Sequence, residues 1–183
     1  LSTYFYDDSN GKKRRIFKDV LLEQVQKNPS KDGYTELLIW FFLQEKKFSS
    51  ALTQAIALDK RNLEVGNRII KIADIFVRNK SYDVAIRAYN YILEKKDDSY
   101  FYRMARIKTV EILNKKIDED PNSKRDDIIA LKKNYENALE ELGRNNYTMD
   151  LIRGYALLLA FKYNNTKSAK EELNNALKQT RAR

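Results

Sequence analysis

The sequence contains no cysteine and no histidine among its 183 residues. Without cysteine it can form neither a disulfide nor a thiolate metal site, and its redox compartment is left open. Without histidine it also lacks the commonest general base and the other usual zinc ligand. Any catalysis would have to rest on carboxylate, lysine or tyrosine side chains. We therefore expect a protein that is not an enzyme and that needs no cofactor or metal.

Glycine and proline are scarce as well, with five and two residues respectively. So few of them leave little turn chemistry for β-hairpins, and abundant Lys, Glu, Leu and Ala favour helices. The longest apolar run, LLIWFFL, lies between Glu36 and Gln44 and is far shorter than the roughly 20 residues of a membrane-spanning helix. An apolar fraction of 43% is enough for a core. These features predict an all-α protein without a membrane span.

A period of 34 residues runs through the first half of the chain. The apolar positions of one predicted helix are Phe48, Ala51, Leu52, Ala55 and Leu58. Their equivalents 34 residues later, in the same order, are Tyr82, Ala85, Ile86, Tyr89 and Ile92. Those of the helix before it are Leu38, Ile39, Phe42, Leu43 and Ile72, Ala73, Phe76, Val77. An isolated helix pair produces only a 3.6-residue period. The recurrence of apolar positions after 34 residues therefore indicates a repeated helical hairpin.

The stripe of Ala85, Tyr89 and Ile92 resembles the second helix of the tetratricopeptide repeat, a 34-residue helix-turn-helix unit. In that stripe a small side chain lets two helices approach, and an aromatic ring fills the adjacent space. The resemblance covers most of the chain, in about four units. It implies an α-solenoid of antiparallel helix pairs that form a right-handed superhelix of about nine helices.

We expect a single domain over residues 1–183, as part of a longer protein. Its parts would be an N-terminal segment, flexible or partly ordered, at 1–13, the second helix of a truncated repeat at 14–29, and repeats at 33–62, 63–97, 98–143 and 147–181. The predicted helices span about 14–27, 33–45, 48–60, 63–78, 82–96, 99–116, 125–142, 149–163 and 167–180. Pro121 predicts an extended connection in the third repeat, with Ser123 and Asp126 as a capping box for the next helix.

In tetratricopeptide arrays the first helix of each pair lines a concave surface on which partners bind. The resemblance therefore implies a non-catalytic scaffold that binds a peptide or protein. Its groove-facing positions would be Glu36, Trp40, Leu43, Gln44, Ile70, Asp74, Val77, Arg78, Gly154, Leu158, Phe161 and Lys162. Trp40 lies in an apolar run, so burial between helices is preferred over ligand contact as the interpretation of this residue. The register of the helix near residues 100–116 is ambiguous, so no groove position is assigned there.

A helical-repeat module that binds single-stranded RNA is the alternative function. The formal net charge of +9 and the segment SYFYRMAR, in which Arg103 and Arg106 alternate with aromatic residues, favour it. The run KKRR at Lys12 to Arg15 could contact phosphate or a membrane surface, although we interpret it as a solvated tail. Asn67 and Lys71 resemble part of the carboxylate clamp of some family members.

That clamp is incomplete, because Glu36 and Trp40 occupy the positions where its cationic and amide partners should lie. A composition rich in Lys, Asn and Ile without Cys favours a bacterial source. Both the cell envelope and the cytoplasm are left open as compartments, with a preference for the envelope because the chain resembles a portion of a longer precursor.

Overall fold

The computed structural model describes residues 11–96 and 100–181, and within these ranges it contains helices and turns but no β-strand. The predicted all-α class is confirmed. The helices are α1 (Lys12–Lys27), α2 (Asp32–Gln44), α3 (Phe48–Arg61), α4 (Asn67–Arg78), α5 (Tyr82–Leu93), α6 (Tyr100–Glu119), α7 (Arg125–Leu142), α8 (Met149–Lys162) and α9 (Thr166–Arg181). A 3-10 turn at Asn146–Thr148 leads into α8. Every helix of the described part is too short or too polar to cross a lipid bilayer.

The helices group into two compact units, and the division falls within α5, between Val84 and Ala85. In the first unit each helix from α1 to α4 packs on the next along the chain. In the second unit α6 packs on α7, α7 on α8 and α8 on α9. Each unit is thus built from neighbouring helix pairs, as stacked helical hairpins are. The single domain and its repeat boundaries stay a prediction.

Small residues bring the helices of the first unit close together. Ala51 and Ala55 of α3 have no exposed surface, and the rings of Phe48 and Phe76 lie 5.3 Å apart between α3 and α4. Ala85, one repeat after Ala51, is also fully buried. The 34-residue period therefore does mark buried helix positions, as the sequence predicts.

The core of the second unit forms around two stacked tyrosine rings. Tyr135 of α7 and Tyr155 of α8 have ring centroids 5.7 Å apart and an interplanar angle of 27°. Ala138 and Leu139 of α7 and Ala169 of α9 are buried in the same cluster. An aromatic pair of this kind adds stability beyond its buried area, typically about 0.5–1.5 kcal/mol.

Two predicted helix boundaries in the middle of the chain are wrong. Helix α4 begins at Asn67 rather than at 63, because Leu63 has φ 51° and Gly66 has φ 99°, and this left-handed backbone cannot continue a helix. Helix α5 ends at Leu93 rather than at 96, and Lys96 has φ 51°. Turn geometry of this kind has no periodic signal in the sequence.

The capping box predicted for α7 is displaced by one residue. The carboxylate of Asp127, not Asp126, accepts a 2.8 Å hydrogen bond from the backbone N–H of Lys124 at the start of the helix. Helix α6 also continues to Glu119, three residues beyond its predicted end. The break around Pro121 is therefore shorter than the sequence suggests.

The run Lys12 to Arg15 is helical, which corrects its interpretation as a tail. Helix α1 begins at Lys12, two residues before the predicted start. The remainder of the expected N-terminal segment lies outside the described residues, except for Gly11.

Candidate functional site

Helices α6 and α8 of the second unit lie side by side. Residues near their amino-terminal ends, among them Arg103 and Asp150, line one cavity. Near their carboxyl-terminal ends, Lys162 Nζ lies 3.2 Å from Asp118 Oδ1. Because like ends meet, the two helices run parallel. They are also the first helices of the last two predicted repeats, which are the helices that line the partner surface in the resemblance.

The cavity at the amino-terminal end of this pair has a volume of about 570 Å³. That size suits a bulky side chain or a small molecule. Residues at helical spacing on α6 form one wall, and the α7–α8 connection with the start of α8 forms the other. The lining residues are Tyr100, Arg103, Met104, Ile107, Lys108, Glu111, Leu142, Asn145, Tyr147, Thr148 and Asp150.

Hydrogen bonds fix the wall that the α7–α8 connection provides. Gly143, with φ 74°, ends α7, and the Asn145 side chain accepts from the Tyr147 N–H at 2.9 Å. The buried hydroxyl of Thr148 donates to the Gly143 carbonyl at 2.8 Å and accepts from the Asn145 N–H at 2.9 Å. These hydrogen bonds restrain the connection, which leaves Tyr147 86% exposed at the cavity rim.

One ion pair and one hydrogen bond hold α6 against α7, and a second ion pair lies within α6. Glu141 of α7 accepts hydrogen bonds from the Tyr102 hydroxyl at 2.5 Å and from Arg106 Nε at 2.9 Å. Lys108 pairs with Glu111 at 3.0 Å within the cavity wall. Of the two arginines that the sequence singled out, Arg103 therefore lines the cavity, whereas Arg106 fastens one helix to its neighbour.

A second hydrogen-bonded cluster joins α7 to α8. The Tyr155 hydroxyl donates to Glu136 at 2.8 Å, and Lys132 Nζ lies 2.5 Å from the same carboxylate oxygen. Partial burial of Glu136 acts to raise its pKa, but the hydrogen bonds from Lys132 and Tyr155 outweigh it and lower the pKa. Glu136 therefore remains ionised under mildly acidic conditions.

In the first unit, an arginine on α4 contacts one of the predicted groove residues. Arg68 donates to Glu64 at 3.0 Å and to Glu36 at 2.9 Å. The hydrogen bond to Glu64 and that to Glu36 raise the pKa of Arg68 despite partial burial. Glu36 is thus engaged in an ion pair between α2 and α4. Asn67 and Lys71 are exposed beside this pair.

The predicted groove residues fall into three groups by exposure. The exposed ones are Glu36, Gln44, Arg78, Phe161 and Lys162, and the half-buried ones are Trp40, Leu43, Asp74, Val77 and Gly154. Ile70 and Leu158 are buried in the cores of their units. The expectation that these two side chains face a partner is therefore wrong, because each lies on the packed side of its helix.

Two of the predicted groove residues, Phe161 and Lys162, are exposed at the carboxyl-terminal end of α8. Phe161 is 76% exposed, Leu157 one turn before it is half exposed, and Lys162 is paired with Asp118. Sequence reasoning missed Tyr147, which lies in a polar connection without helical periodicity. The sequence singles out the aromatic run at residues 99–106, but it does not predict the register of the helix that contains it.

No protein-family model matches this chain, and no curated protein matches it. Within the described residues, acidic side chains form no group of three or more that could hold a metal ion. The site is therefore characterised by its own geometry: a groove between parallel helices with an apolar floor, two exposed tyrosines and a balanced set of charges.

Proposed function

We propose that the chain is a non-catalytic interaction module of tetratricopeptide type, and that a peptide or protein partner binds in the groove between α6 and α8. The cavity beside Tyr147 carries this proposal. Tyrosine and arginine are enriched among the residues that dominate binding energy at protein interfaces. Tyr100, Arg103 and Tyr147 stand around a floor that includes Met104 and Ile107.

The construction of the groove also supports a peptide ligand. Because hydrogen bonds hold the α7–α8 connection, little conformational entropy is lost when a ligand binds there, and such preorganisation favours affinity. Arg103 and Asp150 both line the cavity, so a bound peptide can place an acidic group beside Arg103 and a basic group beside Asp150. The 34-residue period supports the same function by resemblance, because partners of tetratricopeptide proteins bind to the first helices.

Single-stranded RNA is the second candidate ligand. Tyr100 and Tyr147, with Arg103 on the same cavity, could stack with bases. Less favourable to RNA are the carboxylates of Glu111 and Asp150 in that lining. We therefore prefer the peptide, and salt dependence separates the two, since binding to phosphates weakens steeply with added salt.

Selection from a displayed random-peptide library, followed by measurement of Kd for the selected peptides, tests the proposal. The test variant is Tyr147→Ala with Arg103→Ala, which changes two exposed side chains and should leave the fold intact. The control is Leu63→Ala with Arg125→Ala, an equally exposed pair outside the cavity. We expect the test variant to weaken binding about tenfold or more, as loss of interface anchors does, and the control to bind as wild type.

Equal Kd values for the test variant and wild type would refute the groove assignment. Failure to select any peptide, together with salt-sensitive binding of single-stranded RNA that the test variant loses, would favour the second candidate.

A further inference from the structure

Helix α9 turns one of its sides towards α7. Ser168 and Glu172 of α9 line a polar pocket together with Lys132 of α7. Leu177 follows Ser168 by nine residues, about two and a half helical turns, and therefore lies on the opposite side of α9. Leu173 is one turn before Leu177, and the two side chains are 39% and 50% exposed respectively. The side of α9 that faces away from α7 is therefore apolar.

Helix α8 is oriented in the same way. The ring of Tyr155 stacks on that of Tyr135, so this side of α8 faces α7. Arg153 and Leu157 are each two residues from Tyr155 in the sequence, which is about 200° around a helix. Both are exposed. They lie on the side of α8 that faces away from α7.

Because α7 lies on one side of both helices, the opposite sides of α8 and α9 form one surface. Lys170 belongs to it as well, since it precedes Leu177 by seven residues, or about two turns. We term this surface, defined by Arg153, Leu157, Lys170, Leu173 and Leu177, the α8–α9 face. It is separate from the cavity between α6 and α8, which is lined by other residues.

The repeat shows what kind of structure fits such a face. Tyr135 and Leu139 of α7 correspond to Leu173 and Leu177 of α9, 38 residues later. In α7 both positions are buried, and Tyr135 packs on Tyr155 of the following helix. The equivalent leucines of α9 are exposed. A helix that packs on the α8–α9 face would therefore repeat the contact that α8 makes with α7.

The exposed charge on the α8–α9 face is positive. Arg153 and Lys170 supply it, and neither forms an ion pair with another residue in the described part of the chain. The exposed carboxylates of the same two helices belong to other surfaces, because Asp150 lines the cavity with α6 and Glu171 lines the polar pocket with α7. A partner whose apolar surface is bordered by acidic residues complements this face.

We propose that the α8–α9 face docks an amphipathic helix of a partner protein, with acidic residues along the borders of its apolar stripe. Leu157, Leu173 and Leu177 receive the apolar stripe, which is read at helical spacing. Arg153 and Lys170 pair with the acidic borders. A second copy of the chain fits less well, since a twofold contact would bring the same cations of both copies into one interface.

Selection from a displayed library of amphipathic helices, with the full chain as bait, tests the proposal. The library keeps leucines fixed at i, i+3, i+4 and i+7 and varies the bordering positions among Asp, Glu, Lys, Arg, Ser and Gln. We expect Asp and Glu to be enriched at the borders relative to the same library carried through selection without bait. Kd is then measured for the selected helices.

Two substitutions on the face test its apolar part. Leu157→Ser with Leu173→Ser should weaken binding of the selected helices about tenfold or more, as loss of interface anchors does. The control, Leu63→Ser with Val65→Ser, changes two exposed apolar side chains elsewhere and should bind as wild type. Thermal denaturation of both variants verifies that the fold is retained.

A charge reversal tests the cations without removing apolar surface. Arg153→Glu with Lys170→Glu should lower the association rate of the selected helices, and by more at low salt than at high salt. Arg125→Glu with Lys133→Glu makes the same change in net charge at exposed positions of α7 and should have a much smaller effect. Equal effects of the two reversals would overturn the proposal.

The groove variant Tyr147→Ala with Arg103→Ala separates this face from the peptide groove. It should bind the selected helices as wild type does. Loss of their binding by the groove variant, or selection without acidic enrichment, would overturn the proposal but leave the groove assignment standing. A dimer in sedimentation velocity that Leu157→Ser with Leu173→Ser abolishes would instead assign the α8–α9 face to a second copy of the chain.

Discussion

The ring of Tyr135 lies directly against the α-carbon of Gly154. A Cβ at Gly154 would come within 2.6 Å of the Tyr135 hydroxyl oxygen and within 3.2 Å of two of its ring atoms. Because Tyr135 is buried and stacks on Tyr155, its ring has little freedom to move. Gly154, which the resemblance places in the groove, is therefore required for the close approach of α7 and α8.

Replacement of Gly154 by Ala should destabilise the protein. We expect the free energy of unfolding to fall by about 1–3 kcal/mol through overpacking, although alanine is the better helix former by about 1 kcal/mol. Urea denaturation measures the change. Gly33→Ala in α2 is the control, because a Cβ there meets nothing within 4 Å and should be neutral or stabilising. Equal effects of both substitutions would contradict the packing argument.

Tyr135 should make the stability of the protein sensitive to alkaline pH. Burial, with the nearby negative charges of Glu111 and Asp118, raises the pKa of Tyr135 to about 12. An unfolded tyrosine ionises near about pH 10, so the folded state retains a proton that the unfolded state loses. The stabilisation is fully present below about pH 10 and is lost as the pH rises towards the folded-state pKa.

The Tyr135→Phe variant tests this dependence. Its free energy of unfolding should decline less steeply than that of wild type above about pH 10, by of the order of 1 kcal/mol per pH unit. Tyr147→Phe, which changes an exposed tyrosine, serves as the control. Parallel profiles for wild type and Tyr135→Phe would contradict the raised pKa.

Glu136 should contribute stability that is lost in acid. Because its pKa is lowered in the folded state, the contribution is fully present above the ordinary glutamate value of about 4.3 and disappears as the pH falls through the lowered pKa. Solvent screening of this half-exposed pair limits the effect to less than about 1 kcal/mol.

Chemical denaturation of Glu136→Gln at neutral and at acidic pH checks this expectation. The stability difference from wild type should shrink on acidification. Glu140→Gln on the same helix controls for the loss of a carboxylate. A difference that stays constant with pH would show that the hydrogen bonds do not depend on the charge of Glu136.

The repeated alanines should not tolerate a larger side chain. Ala51 and Ala85 are fully buried, so Ala51→Leu and Ala85→Leu should each destabilise the protein by about 1–3 kcal/mol. Ala130→Leu, at an exposed position of α7, should change stability by less than about 0.5 kcal/mol. Thermal denaturation would show whether the two repeat positions respond alike, and a neutral result at either would count against the repeat.

The site was only partly predictable from the sequence. Phe161 could be assigned to an exposed position from the resemblance, whereas Ile70 and Leu158 were assigned to the groove and are buried. The helix register alone cannot say which side of an apolar helix its neighbours cover. The exposed Tyr147 carries no sequence signal, since hydrogen bonds of Asn145 and Thr148 place it.

The amino-acid sequence by itself determined the helices and, where apolar residues recur after 34 positions, some of their buried residues. Side-chain spacing along one helix is a local property, so the sequence shows it directly. The alanine at position 51 recurs at position 85, 34 residues later, for this reason. Only the tertiary structure decided that Gly154 serves packing, that Glu136 is shared by two helices and that Arg103 lines a cavity while Arg106 does not. These outcomes depend on distances between residues far apart in the chain, which arise when helices pack and which no local pattern encodes.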